Sequence, residues 1–381
     1  MKNNNENANE ITLDSLIEAS QNKQYNKQIL SVEKYCSEID WDKVLKYDCI
    51  NLVVASTGSG KSSAMLKMVE EGKNVAIVAP YVSITNQMKV SFPDMELKTG
   101  LKSDESESFA GGRITSFHSI PRMLELNHID ILVIDEWHVL ASYAGYTKGM
   151  LNTFWDTVEK LKVKHPSMRI AALTGTPQFM MMADFLNYNI IAVRPKHISA
   201  KPKDLFVSRS WIRELKKNSN YLYLFASKKQ GRAQANKYHG IYIDASSKET
   251  SNAYFQILLG KMPGERVFTS TVLSTGISIT DYVETVYTNW IDLVDIVQMS
   301  ARTRQGGHTL KVTQTIPWFL RDGIDKPNLI WTEDFESNMR LINEYQTWYS
   351  FQAHSADEGT LFSVLYQMLW LPEQELPEIY F

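Results

Sequence analysis

Short apolar runs alternate along this chain with stretches whose apolar residues return every three or four positions. Residues 50–54, 74–79, 113–116, 129–134 and 169–173 are runs of the first kind, and each reads as a strand. The run at 129–134 is apolar except for Asp130, which suits a strand buried on both faces. Residues 64–68, 84–90, 118–126 and 151–162 follow the helical period. Strands and helices taking turns predict a parallel sheet with helices on both sides, and such sheets bind ligands at the carboxyl ends of their strands. A second series follows, with strands expected at 221–226, 241–243, 266–270, 283–288 and 310–315. Its helices are expected at 227–238, 252–259 and 292–304.

Between the two series, residues 192–204 hold Pro195, Pro202 and several charges and read as a linker. The polar stretch 98–112 reads as an exposed loop. Ahead of the first strand, residues 11–34 carry a loose helical pattern through Leu13, Leu16, Ile17, Ile29 and Leu30. Beyond residue 316, helices are expected at 334–350 and 360–369, and Trp318, Trp331, Trp348 and Trp370 gather there. Buried aromatics in the core or seam of a helical appendage are favoured over a base-stacking platform. The expected organisation is a disordered tail (1–10), an α/β domain (11–195), a smaller α/β domain (196–315) and a helical, aromatic-rich extension (316–381).

Chemistry concentrates after the first strand. Thr57, Gly58, Ser59, Gly60, Lys61, Ser62 and Ser63 lie between that strand and a helix, the arrangement of a phosphate-binding loop. Glycine lets backbone N–H groups curl around phosphate oxygens, and the helix start directs its positive end to the same anion. Lys61 supplies charge to the β- and γ-phosphates, and Ser62 is placed to bind Mg²⁺. Ala55 stands where the formal pattern has glycine. Asp135 and Glu136 end the apolar strand at 129–134. Asp135 can share Mg²⁺ with Ser62, and Glu136 can orient and deprotonate an attacking water. Gln298, Arg302 and Arg304 fall on the expected helix 292–304, neither arginine having an acidic partner three or four residues away. Their functional reading is an arginine finger acting on ATP from within the same chain.

Composition narrows the classes. The chain has 381 residues, 44% apolar and 22% charged, enough for two or three globular domains. A net charge of −3 gives no global basic field, so any nucleic-acid contact must be a local groove. Two cysteines, Cys36 and Cys49, suggest neither a disulfide framework nor a metal site, and point to a reducing compartment. Residues 1–10 do not resemble a signal peptide, and the apolar stretch 361–371 is too short to span a bilayer. The expected location is the cytoplasm of a bacterial or phage-infected cell, with no membrane partner.

Taken in order, residues 57–62, 135–138 (Asp-Glu-Trp-His), 174–177 (Thr-Gly-Thr-Pro), 271–278 and 298–304 resemble the motifs of a superfamily 2 helicase of the DExH type. The resemblance spans residues 50–305 and leaves both ends unassigned. It implies two RecA-like domains with ATP and Mg²⁺ in the cleft and a nucleic-acid strand across both. It further implies that His138, Thr174 and Thr176 couple nucleotide state to domain motion, and that Gly276 lies at the nucleotide. Pro80, Tyr81, Arg113, Thr115, Ser116, Ser227, Lys228, Thr269 and Thr271 fall at strand-contacting places. The spacing departs from the commonest form of the last motif, because Gln305 stands where the second arginine is expected and Arg304 is one residue early. A one-residue shift on a helix turns a side chain by about 100°, which favours Arg302 as the finger. The compact Ala-Arg-Thr-Arg is similar to phage and viral replication helicases such as the herpesvirus origin-binding group. The implied partner is single-stranded or tailed DNA ahead of RNA, with replication or repair proteins. Two alternatives are a strand-stimulated ATPase clamp that does not unwind, and a phosphate-loop switch acting on a protein.

Overall fold

Buried on every residue, Ile50–Ala55 lies in the middle of a sheet covered on both faces. The computed structural model describes residues 26–56, 58–91, 95–98, 112–183, 185–196, 200–218, 220–244, 251–270, 278–316 and 323–370. Eight strands form the first sheet: β1 (Asn26–Val32), β2 (Ile50–Ala55), β3 (Val75–Ala79), β4 (Glu96–Lys98), β5 (Gly112–Ser116), β6 (Ile131–Ile134), β7 (Arg169–Thr174) and β8 (Tyr188–Pro195). Their order is β1-β8-β2-β7-β6-β3-β5-β4 and every pairing is parallel. Connections run through α1 (Trp41–Val44), α2 (Lys61–Glu70), α3 (Val82–Ser91), α4 (Val139–Ala144) and α5 (Met150–Lys164). Because β7 and β6 separate β2 from β3, the chain leaves β2 and returns farther along the sheet, and a crevice opens at the strand ends between them.

The second sheet has six strands: β9 (Asp204–Ser208), β10 (Tyr221–Leu224), β11 (Ile241–Ile243), β12 (Arg266–Thr269), β13 (Thr285–Thr288) and β14 (Thr309–Thr313). It is also all parallel, in the order β11-β12-β10-β13-β14-β9. Its helices are α6 (Ile212–Leu215), α7 (Lys228–Lys237), α8 (Asn252–Leu258) and α9 (Leu293–Ser300). Two further helices, α10 (Phe335–Ser355) and α11 (Glu358–Trp370), close the described chain. One apolar core runs from the first sheet through the second and into both of these helices, joining Leu132, Phe179, Leu222, Ile296, Tyr349 and Leu365. A separate cluster including Val53, Met65, Ile77 and Val133 covers the other face of the first sheet. Among the described residues no helix is long and apolar enough to cross a membrane.

Four expectations need correction. Ile29 and Leu30 lie in β1, an edge strand beside β8, and not in a helix. A run this short satisfies either period, and an edge strand buries only part of itself, as the exposed Ile29 shows. Residues 192–195 belong to β8, so the connection between sheets is shorter than the proline content suggested. Residues 117–125 wind as a 3₁₀ segment with Pro121 inside it. Finally, α9 ends at Ser300, so Arg302 and Arg304 lie beyond the helix.

Candidate nucleotide and strand site

Between β2 and α2 the backbone takes positive φ at Gly58 (90°) and Gly60 (78°), conformations that glycine adopts without a Cβ clash. Lys61 folds back so that Nζ donates to the carbonyls of Ala55 at 2.7 Å and Ser56 at 3.1 Å. Burial pulls the Lys61 ammonium below its usual pKa, against the nearby Glu136, Cys36 and Asp135. Ser59 is buried, its carbonyl accepting the Cys36 N–H at 2.9 Å, while Ser63 is exposed. Thr57 lies outside the described residues.

From the end of β6, Asp135 and Glu136 enter the same crevice. Ser62 Oγ donates to Asp135 Oδ1 at 3.1 Å across the loop. Burial and then the neighbouring Glu136 raise the Asp135 carboxyl to about 7. For Glu136, burial works upward, but Arg302, His138 and Lys61 outweigh it and hold the carboxyl at about 2. Glu136 also has φ of 51°, a strained backbone for a residue with a side chain. Its neighbour Trp137 is fully buried, with Nε1 donating to the Tyr188 hydroxyl at 2.9 Å.

Lobe 2, built on the second sheet, reaches this point through the turn after α9. Ile279 N–H donates to the Arg302 carbonyl and Arg304 N–H to the Ile279 carbonyl, both at 2.8 Å, so Thr303 pairs with Ile279 as an isolated parallel bridge. Side chains alternate along such a segment, placing 302 and 304 on one side and 303 on the other. This removes the helical objection to Arg304. Arg302 Nη2 donates to Glu136 Oε1 at 3.0 Å and to Gln298 Oε1 at 2.7 Å. Arg304 Nε donates to Ser278 Oγ at 2.8 Å. Its Nη1 is buried without a partner and would lie 3.0 Å from a Cβ added at Gly58. On the opposite side, Thr303 Oγ1 and Ser300 Oγ bracket the buried His308 at 2.7 and 2.8 Å.

A ring of contacts links the lobes. Glu136 meets Arg302, Arg302 meets Gln298, and Gln298 Nε2 donates to Thr176 Oγ1 at 3.1 Å. Thr176 N–H donates to Thr174 Oγ1 at 3.1 Å, and Thr174 Oγ1 lies 3.1 Å from His138 Nδ1. His138 Nδ1 returns to Glu136 at 3.7 Å. Burial, reinforced by Arg302 and Lys61, lowers His138 to about 4, so its imidazole is neutral and can keep one hydrogen-bond polarity.

The expected strand contacts separate into groups. Pro80 and Tyr81 follow β3 and Ser116 ends β5 at the same sheet edge, and Thr115 is fully buried beside them. Ser227 caps α7, its Oγ accepting the Gln230 N–H, and Lys228 is next to it. Thr269 is buried at the end of β12. Arg113 is not brought to this edge. It stands near the start of β5, opposite Ala76, and its buried guanidinium pairs with Glu96 at 2.6 Å and with the Arg122 carbonyl. Thr271 and Gly276 lie outside the described residues.

Sequence reasoning missed Tyr35, whose ring edge would lie 3.6 Å from a Cβ on Gly60. Glu38 fixes its loop by accepting the N–H groups of Glu33, Lys34 and Tyr35, each at 2.8 Å. Residues so far upstream of the phosphate loop leave no spacing signal.

The residues fit a nucleoside triphosphate with Mg²⁺. Two positive-φ glycines form the cradle, and Arg304 Nη1 is an orphaned donor aimed at it. Burial and then Glu136 raise the Asp135 carboxyl, and a bound cation would favour its charged form. Among the described residues no three His, Cys, Asp or Glu side chains gather as a metal cage. Ser62 and Asp135 would be the protein ligands of Mg²⁺, which is bound through one or two carboxylates and completes its shell with phosphate and water.

Comparisons with known proteins bear on the fold. Residues 21–179 match the family "Type III restriction enzyme, res subunit". No curated protein sequence matches. Among solved structures, the chain is similar to Mss116p (NTE and C-tail double deletion) bound to ssRNA and AMP-PNP, at 12% identity and TM-score 0.55, covering 75% of this chain and 77% of that one. The DEAD-box helicase Mss116 bound to ssRNA and UDP-BeF gives 14% identity and TM-score 0.52, with 75% and 76% covered. The DUF1998 helicase MrfA bound to DNA gives 11% identity and TM-score 0.50, covering 70% of this chain and 46% of that one. At these identities the likeness is one of fold.

Proposed function

From a chain with the tandem RecA-like fold of superfamily 2 helicases, we propose an ATP-driven motor that tracks a nucleic-acid strand. The observation that carries this reading is the meeting of lobes at one point. Arg302 of lobe 2 pairs with Glu136 of lobe 1, while Arg304 faces Gly58.

In this reading Lys61, the loop amides and Arg304 hold the triphosphate. Ser62 and Asp135 would hold Mg²⁺, which neutralises charge on the phosphates. Arg302 exchanges Glu136 for the γ-phosphate as ATP binds. Losing that cation raises the proton affinity of Glu136, which then orients the attacking water and takes its proton. The exchange also pulls on Gln298 and, through Thr176 and Thr174, on His138, so hydrolysis is felt at the lobe seam. The two lobes grip strand phosphates through backbone amides and neutral hydroxyls, with Lys228 as a cation, which gives little sequence preference. We take the strand to be DNA, following the resemblance of residues 301–304 to replication helicases.

The test is steady-state ATP hydrolysis with and without single-stranded, duplex and tailed DNA and RNA. Stimulation by a strand supports the motor, and indifference to every nucleic acid removes it. One observation favours a second reading, a strand-stimulated clamp: α10 contacts both lobes, with Glu336 on lobe 1 and Gln346 on lobe 2. Strand displacement separates the two, since a clamp hydrolyses ATP without releasing the paired strand.

A further inference from the structure

At the edge formed by the ends of β3 and β5, four aromatic side chains gather that the ATP site does not use. Tyr143 is buried, its hydroxyl donates to the Pro80 carbonyl, and its ring lies 5.9 Å from Tyr81, 5.5 Å from His118 and 5.1 Å from Tyr146. His118 is exposed, and Tyr146 is 62% exposed while its ring packs 5.1 Å from the buried Tyr143 ring. Tyr146 is therefore open to solvent while resting on a fixed support.

We propose that Tyr146, supported by Tyr81 and His118, is a stacking platform for an unpaired base of the bound strand. Three features lead to a base as occupant. The patch continues from Pro80 and Ser116 along one sheet edge, beside the crevice that holds Lys61 and Glu136. Its most exposed member, Tyr146, is an aromatic ring without charge, and every base has a π-face to stack on such a ring. Packing against Tyr143 also restricts the ring beforehand, so stacking orders less that was free. The inference rests on the strand-tracking reading and adds to it. Backbone gripping alone leaves the bases unread, whereas a fixed ring gives each step a place to pause.

Equilibrium binding separates the two levels, using a labelled 12-nucleotide DNA, the RNA of the same sequence, and strands of equal charge with abasic residues. Wild type is expected to bind either intact strand about tenfold more tightly than its abasic counterpart, the usual worth of a stacked base. Tyr146→Ala should lower affinity for intact strands to the abasic level and leave abasic binding unchanged. Tyr146→Phe keeps the ring and should retain most of the preference. Equal binding of intact and abasic strands by wild type would overturn the platform while leaving the motor in place. So would an equal loss on both strands in Tyr146→Ala, which would mark the side chain as shaping a backbone groove. Binding of no strand would remove the parent reading and the platform together.

Discussion

Glu136 combines a left-handed backbone with a carboxyl held at about 2 against burial, because Arg302, His138 and Lys61 surround it. Such strain and charge crowding persist at a functional residue only when the surroundings over-determine it. Replacing it by glutamine keeps the shape and removes the base. Turnover in Glu136→Gln should fall roughly 10²- to 10⁴-fold with ATP still bound, as steady-state kinetics beside nucleotide titration would show. Asp135 moves the other way. Its raised value means that folding takes up a proton there; this contribution to stability is complete below about 4 and is lost as pH rises through about 7. In metal-free protein, Asp135→Asn should therefore raise the melting temperature more at pH 8 than at pH 5, where only part of the contribution has been lost. A gain of the same size at both pH values would contradict the assignment. At this scale the identities of Lys61, Asp135 and Glu136 were legible, because their order along the chain is the signal. The environment of Arg304 was not, since nothing in the local pattern marks the helix end at Ser300. Nor was that of Arg113, whose partner Glu96 lies 17 residues away on a neighbouring strand.

Among the elements, α10 has the widest reach. Glu336 accepts the N–H groups of Gly149 at 2.8 Å and Leu151 at 3.1 Å, capping α5 where glycine offers no side chain. Phe335 stacks on Trp155 at 4.5 Å, with the rings 3° from parallel. Farther along, Gln346 Nε2 donates to Asp292 Oδ2 at 2.6 Å, and Asp292 caps α9, the helix leading to Gln298 and Arg302. Glu336→Ala leaves two donors of α5 unpaired and should cost about 1–3 kcal/mol, read by urea unfolding. Gln346→Leu leaves the lobe-1 contacts intact and should alter turnover more than stability if α10 tunes the cleft; an unchanged rate would restrict α10 to a structural brace. The helices of the extension were readable from their period, and Trp331 lies at a seam, 5.2 Å from Phe185, while Trp318 lies outside the described residues. That α10 bridges both lobes was not readable, because its partners are backbone N–H groups of Gly149 and Leu151 on one side and Asp292, an ordinary polar residue in sequence, on the other. β1 was likewise hidden. Its strand neighbour β8 begins only at Tyr188, and a pairing so distant along the chain leaves no trace in the local pattern.

At the scale of the molecule, one apolar core links both sheets and the two last helices. Domain motion must therefore slide or open a packed seam, with the ring from Glu136 through Gln298 to His138 as its polar part. Two alternating series of strands and helices were enough to read the tandem fold. Their relative placement depends on side chains far apart in sequence and could not be read. Neutral hydroxyls and amides dominate the proposed grip, so strand affinity should fall only modestly between about 50 and 200 mM salt, with a slope set by few basic contacts; a loss of about 10³-fold or more would indicate six or more phosphate-binding cations instead. The central claim is that lobe 2 completes the ATP site of lobe 1 when a strand is bound. It is tested most directly by strand-stimulated ATP hydrolysis in wild type and Arg302→Ala. The account predicts stimulation in wild type and, in the variant, a drop in turnover of about 10³-fold with nucleotide affinity changed far less. Turnover indifferent to any strand, or equal losses of turnover and affinity in the variant, would contradict it.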